Sequence, residues 1–254
     1  MTRSILTFLF LTLSLTEGFS QLSETEHESV VAYFVECIKS ADIEKLDSII
    51  SYPFIRPYPI PSINDKQELT ERYSELFDDS LTSVIANSVI KDDWKDMGWR
   101  GIMLDRGIVW LDYDGRLLTT NYSSEKEITL KEKWIEYERN LLHTDLKDFK
   151  KPIHTIETEK FIVRVDLLED QKYRYASWEK DSDISNKPDL VINNGIWTPD
   201  GSGGNHHFTF TNSEYSYVVY VDVMGADVTP PFNLKVTQND KEILYQPAEL
   251  KELK

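Results

Sequence analysis

The spacing of apolar residues changes once along this chain, and this change limits the available folds more than any other sequence feature. From Glu26 to Ile50, apolar side chains recur every three or four residues, which is the period of one helix face. From Phe161 onward they alternate with polar residues, as they do in strands that bury one face. The chain is therefore predicted to begin with helices and to end as an all-β unit.

Within the first part, helices are predicted to give way to a small sheet. Asp65 and Glu68 have the spacing of a helix-capping pair and precede another helical run. Later apolar residues alternate around two turn signals, Arg106-Gly107 and Asp114-Gly115, which predicts a three-stranded antiparallel meander. Residues 24–122 are therefore predicted to form an α+β domain with helices on one face of a curved antiparallel sheet.

Two further parts complete the predicted organisation. Residues 123–155, which are charged and amphipathic over most of their length, are predicted to form a helical connector. Residues 156–254 contain six or seven short alternating runs, separated by turn residues such as Asn193-Asn194-Gly195 and Thr229-Pro230-Pro231. Short strands at this spacing predict an all-β sandwich or small barrel.

The N-terminus has the pattern of an export signal. Arg3 supplies a positive charge, Ile5 to Leu15 supply an apolar stretch, and Gly18-Phe19-Ser20 offers small residues for cleavage. Residues 1–20 are therefore predicted to be removed near Ser20, leaving a secreted or periplasmic protein. The apolar stretch is shorter than the roughly 20 residues that span a bilayer, so it is not predicted to act as a membrane anchor. Once the signal is removed, no stable membrane insertion is expected.

The composition excludes several classes of protein. With 6 Trp, 13 Tyr and 11 Phe, the chain has too many large rings for a disordered protein. Its 44 acidic and 28 basic side chains give a net charge of −16, which argues against a nucleic-acid partner. Cys37 is the single cysteine of the sequence, so an internal disulfide is excluded, and its apolar neighbours predict a buried thiol.

The sequence lacks the common marks of catalysis. It contains no nucleophile elbow, phosphate-binding loop or dinucleotide fingerprint, so no catalytic residue and no cofactor is assigned. His206-His207 is the most conspicuous histidine pair, but adjacent residues on a strand point to opposite faces. No metal site is therefore predicted. The absence of these marks favours a non-enzymatic protein, but it does not decide whether the protein is an enzyme.

Two groups of residues are candidates for binding. The first combines rings with arginines in residues 24–122, as small-ligand pockets do. The favoured interpretation of these residues is nevertheless that the rings fill a core and the arginines pair with carboxylates. The second is a glycine-rich loop that could contact a protein partner. The candidate ligand-binding residues are Tyr52, Arg56, Tyr58, Trp99, Arg100 and Trp110, and the candidate protein-contact residues are Gly203, Asn205 and His206.

Residues 24–122 resemble a known family. The helix step Ala41-Asp42-Ile43-Glu44-Lys45-Leu46 and the later run from Trp99 to Trp110, in a chain that places helices before an antiparallel sheet, resemble the nuclear transport factor 2-like domains. The resemblance implies their cystatin-like cone fold in the N-terminal part. The family includes isomerases and dehydratases with an Asp or His inside the cone, and also non-catalytic binding modules. The whole chain resembles exported two-domain bacterial proteins.

These observations favour an exported, non-enzymatic binding protein with a small-ligand pocket in the N-terminal cone. The partner is predicted to be a small molecule or a protein, without further identification. Two alternatives stay open. One is an isomerase- or hydrolase-type enzyme that uses a buried carboxylate in the cone as its base. The other is an inhibitor-type module that binds another protein.

Overall fold

The computed structural model of the chain describes residues 24–201, 203–223 and 229–251. The predicted export signal, residues 1–20, lies outside the described residues. No helix in the described ranges is long and apolar enough to cross a membrane. The helices within these ranges are α1 (Glu24–Lys39), α2 (Ile43–Asp47), α3 (Lys66–Leu76), α4 (Asp79–Asn87), α5 (Ile90–Asp93) and α6 (Glu125–Leu141).

Local capping chemistry determines where several of these helices begin. The side chains of Asp42, Asp65 and Asp78 each accept a hydrogen bond from the backbone N–H three residues further on. Each bond satisfies a donor that has no partner within the helix, so α2, α3 and α4 begin directly after these residues. The helices then bury their apolar faces in one core, where the rings of Phe34 and Trp94 meet edge to face at 5.9 Å.

The helices pack on a small antiparallel sheet. In the described residues this sheet has four strands in the order β1-β2-β3-β4, each three or four residues long. At about 3.3 Å per residue, such strands span only about 10–13 Å. The strands are β1 (Trp94–Asp96), β2 (Ile102–Leu104), β3 (Val109–Leu111) and β4 (Leu117–Thr120).

The C-terminal part is a closed antiparallel barrel. In the part of the chain that the structure describes, eight strands follow one another around the barrel in the order β10-β11-β12-β5-β6-β7-β8-β9. The inward side chains form one continuous apolar cluster. The strands are β5 (Lys151–Thr158), β6 (Phe161–Leu167), β7 (Tyr173–Glu179), β8 (Leu190–Pro199), β9 (His206–Asn212), β10 (Tyr215–Val221), β11 (Phe232–Gln238) and β12 (Lys241–Leu250).

The fold class predicted from the sequence is therefore wrong. It combined a cone of helices on a curved sheet with an all-β sandwich or small barrel of six or seven strands. The structure has instead a short four-stranded sheet with a few helices, and a closed barrel of eight strands among the described residues. The strands of the N-terminal sheet are only three or four residues long, and the larger part of the β-structure lies in the barrel.

One cause of the difference is the segment Asn193-Asn194-Gly195, which reads as a turn in the sequence. In the structure these residues lie inside β8, where the pairing with β7 shifts register between Tyr173 and Tyr175. Asn194 has a φ of 64°. A Cβ on Gly195 would lie 2.1 Å from the ring of Phe210, so glycine here lets the ring pack against the strand. A turn-like sequence thus forms a bulged strand.

Helix α6 connects the N-terminal part to the barrel. After it ends, a 3₁₀ turn at Thr144–Leu146 leads into β5. This segment covers the outer face of β6 and β7, where a second apolar cluster surrounds Trp178. The strand β5 begins at Lys151, within the residues 123–155 that were predicted as a helical connector. The outer face of the barrel is therefore buried on this side.

Candidate functional site

The two ends of the barrel differ in their connections. At one end, four connections join β5 to β6, β7 to β8, β9 to β10 and β11 to β12, and three of them have two residues each. We call this end the hairpin mouth. The opposite end, where α6 leads into the barrel, is called the loop end. The connections of the hairpin mouth are residues 159–160, 180–189, 213–214 and 239–240.

A cavity of about 360 Å³ opens at the hairpin mouth. An eight-stranded barrel is just wide enough either to be filled by side chains or to hold one small ligand. Here the inward side chains do not fill the interior completely, and the lining is mostly aromatic and aliphatic. The lining residues are Phe161, Tyr175, Ser177, Asp189, Leu190, Tyr215, Tyr217, Leu234, Val236, Ile243 and Leu244.

Tyrosines supply most of the aromatic rings that line the cavity. Tyr175 is buried, with 2% of its surface exposed, and its ring lies 5.4 Å from that of Tyr217 and 5.4 Å from that of Phe210. Tyr217 and Tyr215 are partly exposed on the inner side of β10. Burial raises the pKa of Tyr175 and that of Tyr217, so both hydroxyls stay protonated at neutral pH. The cavity therefore combines ring faces with neutral hydroxyl groups.

Asp189 contributes a carboxylate to the rim of the cavity. Its backbone N–H donates to the carbonyl of Ser177 at 2.9 Å, which ties the rim to an inward residue of β7. Its carboxylate accepts the backbone N–H of Glu179 at 3.1 Å. The side chain is exposed, so the charge lies at the entrance to the cavity and is not buried in its wall.

The predicted N-terminal site differs from this cavity, because the guanidinium of Arg56 is hydrogen-bonded to other residues of the chain. The guanidinium donates to both oxygens of Glu127, at 2.5 and 2.7 Å. It also donates to the carbonyl and hydroxyl of Thr120, at 3.1 and 2.9 Å, and to the carbonyl of Tyr122 at 2.9 Å. A cleft of about 370 Å³ adjoins this cluster and includes Thr119 in its lining. The N–H groups of the Arg56 guanidinium therefore already donate hydrogen bonds within the protein.

Tyr58 lies at the junction with the barrel. Its hydroxyl donates to Glu138 at 2.5 Å and lies 3.2 Å from the hydroxyl of Thr155. Burial, together with the charge of Glu138, raises the pKa of Tyr58. Tyr52 lies elsewhere and donates to Asp47 at 2.9 Å. The two tyrosines thus serve different local contacts.

The other three predicted ligand-binding residues lie in the sheet region. Trp99 is 67% exposed. The guanidinium of Arg100 lies over the ring of Trp110 at 5.8 Å from its centroid, a distance that allows a cation–π contact. The structure thus brings Arg100 and Trp110 together. Ligand binding by the six candidate residues of the N-terminal part stays a prediction.

The glycine-rich loop is at the loop end of the barrel. Asn205 accepts the backbone N–H of Val223 at 2.9 Å through its side-chain oxygen, and Gly203, two residues earlier, is partly buried. The ring of His206 packs against Trp197 at 5.8 Å. The next residue, His207, instead contacts Asp200 through Nδ1 at 2.8 Å. These contacts hold the loop against the neighbouring strands and connection. Its role in binding a protein partner stays a prediction.

The cavity at the hairpin mouth was not identified from the sequence, although a signal for it was present. Tyr173 and Tyr175 are two residues apart on β7, and Tyr215 and Tyr217 are two residues apart on β10. Residues at this spacing share one face of a strand, so two strands carry paired rings on one side. Whether the rings fill a core or leave a cavity depends on the closure of the barrel, which the strand pattern does not contain.

Neither metal chemistry nor relatives assign a function to this site. Among the residues that the structure describes, no group of three or more His, Cys, Asp or Glu side chains is placed to hold a metal ion. Comparison of the chain with family models, curated proteins and solved structures found no match. The resemblance to nuclear transport factor 2-like domains stays a prediction.

Proposed function

We propose that this chain is an exported, non-enzymatic protein that binds a small molecule in the cavity of the hairpin mouth. The observation that supports this most directly is a cavity of about 360 Å³ inside a closed barrel, lined by rings and aliphatic side chains. Pockets of roughly 300–1,000 Å³ with mostly apolar walls and a few polar groups are typical of small-ligand sites. The ligand enters between the four connections of the mouth.

The barrel is suited to this role because side chains pack against both the inner and the outer face of its wall. Tyr175 packs inward against Phe210, while Trp178 on the same strand is buried in the outer cluster. A wall that does not need to rearrange loses little entropy when a ligand binds. Apolar surface that a ligand buries contributes about 25 cal/mol per Å² to binding.

The enzyme alternative finds less support. Among the described residues the buried carboxylates are Glu127, Glu138 and Asp166. The oxygens of each accept hydrogen bonds from arginine or tyrosine side chains. A general base must reach the proton that it abstracts. Carboxylates whose oxygens are occupied within the protein serve as ion-pair partners.

A fluorescence titration tests the proposal. 1-Aminoanthracene is a neutral, apolar probe whose emission rises in apolar surroundings, and we expect it to bind the full chain with one-to-one stoichiometry. The variant Leu244→Trp places an indole in the cavity and is expected to weaken binding at least tenfold. Leu244 is partly exposed, so the larger ring can be accommodated without repacking a buried core.

The matched control is Thr119→Trp, which places the same indole in the cleft beside Arg56. We expect this variant to bind the probe like the unmodified chain. Circular dichroism and the thermal midpoint of each variant show that it is folded. Loss of binding in Thr119→Trp together with unchanged binding in Leu244→Trp would place the site in the N-terminal part. Absence of binding to the unmodified chain would also contradict the proposal.

A further inference from the structure

We propose that the ligand of the hairpin mouth is a small organic cation, an amine or quaternary ammonium that carries an apolar group. This inference rests on the proposed function, because it assigns a ligand class to the same cavity. It is carried by three features of the mouth: the rings that line it, the sign of the charges around its rim, and the absence of cationic side chains from its described lining.

The rings supply the first argument. Phe161, Tyr175, Tyr215 and Tyr217 lie on three neighbouring or facing strands and all line the cavity. The face of an aromatic ring carries partial negative charge and attracts a cation that lies within about 6 Å of its centre. Tyr175 and Tyr217 are inclined to each other by 43°, with ring centres 5.4 Å apart. Rings set at such angles present several faces and edges to one small volume.

The rim supplies the second argument. Among the described residues that line the cavity, Asp189 is the one with a charged side chain, and none is a lysine or arginine. The four connections of the hairpin mouth carry six carboxylates and three lysines. The carboxylates are Glu159, Asp181, Asp183, Asp189, Glu214 and Asp240, and the lysines are Lys160, Lys180 and Lys187.

The charge of the whole chain acts in the same direction. A net charge of −16 creates a negative potential that attracts cations and repels anions during approach. An anionic ligand would have to pass an acidic rim and enter a cavity whose described lining has no cationic side chain. A neutral ligand would gain from apolar contact but would not use the carboxylate. The combination of rings and carboxylate therefore favours a cation over both.

Three probes of one shape separate these ligand classes. Benzyltrimethylammonium is a cation, neopentylbenzene is its neutral counterpart with the same outline, and benzylsulfonate is an anion of similar size. Each is titrated against the full chain loaded with 1-aminoanthracene, at low and at physiological ionic strength. We expect the cation to displace the dye with an affinity at least tenfold above that of the neutral probe. The anion is expected to bind more weakly than either, and added salt should weaken the cation alone.

Asp189→Asn tests the contribution of the rim. Asparagine keeps an oxygen that can accept the N–H of Glu179, so the loop retains this bond, and the charge is lost. We expect the affinity for benzyltrimethylammonium to fall about threefold to tenfold, while that for neopentylbenzene is unchanged. The matched control is Asp181→Asn, which removes an exposed carboxylate of the same connection that does not line the cavity. Its effect should be smaller.

The outcomes separate this inference from the proposed function. If the neutral probe or the anion displaces the dye as well as the cation does, the cation assignment is overturned while the cavity remains a binding site. An equal loss of cation affinity in Asp189→Asn and Asp181→Asn would overturn the role of the rim carboxylate. If neither the dye nor any probe binds the chain, the proposed function fails, and the inference fails with it.

Discussion

At the scale of single residues, His154 is notable because its ring lies between aromatic side chains. Its ring packs against Phe232 at 4.9 Å and against Tyr58 at 5.8 Å, near the loop end of the barrel. Its Nδ1 is buried and has no hydrogen-bond partner among the described residues. Burial, together with smaller electrostatic contributions from His206 and Lys151, lowers the pKa of His154 to about 3. The imidazole is therefore neutral in the folded protein at pH 7.

This environment makes stability depend on pH. In the unfolded chain a histidine has a pKa of about 6.5, so unfolding takes up a proton once the pH is below that value. The free energy of unfolding should therefore fall as the pH drops from about 6.5 toward 3, by up to about 1.4 kcal/mol per pH unit from this residue. Replacing the ring by one that does not titrate, His154→Phe, should remove this contribution.

Urea unfolding of both proteins at pH 7, 6 and 5 measures the effect. The stability of His154→Phe relative to the unmodified chain should increase steadily as the pH is lowered. Other titrating groups are common to both proteins and cancel in the difference. A difference that does not change with pH would show that His154 has an ordinary pKa in the folded state.

At the scale of elements, α6 joins the two parts of the molecule through two buried carboxylates. Glu127 and Glu138 are eleven residues apart, which is close to three helical turns, so they lie on one face about 16 Å apart along the axis. Glu127 binds Arg56 of the N-terminal part, and Glu138 binds Arg164 of the barrel at 2.8 Å. One helix face thus holds both parts by ion pairs.

Arg164 is the centre of the barrel-side cluster. It lies between Glu138 and Asp166, and Asp166 also binds Arg174 at 2.7 Å. The side chain of Arg164 is completely buried. Removing one partner of a buried ion pair leaves an uncompensated charge, so Arg164→Leu should lower the free energy of unfolding by about 3–5 kcal/mol.

Arg116→Leu is the matched control for this prediction. Arg116 also contacts two carboxylates, Asp112 and Asp114, but half of its side chain is exposed. Exposed pairs contribute about 1 kcal/mol or less, so this variant should be only slightly less stable than the unmodified chain. Urea unfolding at pH 7 compares the two variants. Similar losses for both would contradict the view that burial makes the Arg164 cluster important.

The same scale shows what the sequence could predict. Helix starts depend on a few adjacent residues, and Asp65 caps α3 at the position that its spacing with Glu68 indicates. The pairing of β12 with β5, which closes the barrel, joins residues such as Ala248 and Thr158 that are far apart in sequence. No local pattern contains this information, so the sequence offered a small barrel beside a sandwich but could not decide closure or predict the cavity that depends on it.

The candidate site illustrates the same limit. Arg56 and Tyr58 looked like ligand-binding residues because rings and guanidinium groups are frequent in pockets. Their partners, Glu127 and Glu138, lie 71 and 80 residues further along the chain. The sequence shows the residue types but not which carboxylates fold back onto them. It could therefore supply candidates for the site but not their contacts.

At the scale of the whole molecule, Tyr58 ties the N-terminal part to the barrel. Its hydroxyl contacts Glu138 of α6 and Thr155 of β5. Tyr58→Phe removes one hydrogen bond to a buried carboxylate, so it should lower the free energy of unfolding by about 1–3 kcal/mol. The control Tyr245→Phe, at a tyrosine that is 54% exposed, should change it by less than about 0.5 kcal/mol. Equal effects in urea unfolding would contradict a stabilising role for this junction.

The central claim is that a small molecule enters the barrel at the hairpin mouth. Amide hydrogen exchange of the full chain, measured by mass spectrometry with and without saturating 1-aminoanthracene, tests it most directly. The account predicts slower exchange in peptides that cover β7 and β10, whose tyrosines line the cavity, and unchanged exchange in residues 117–123 beside Arg56. Protection of residues 117–123 with no change in β7 and β10 would contradict it.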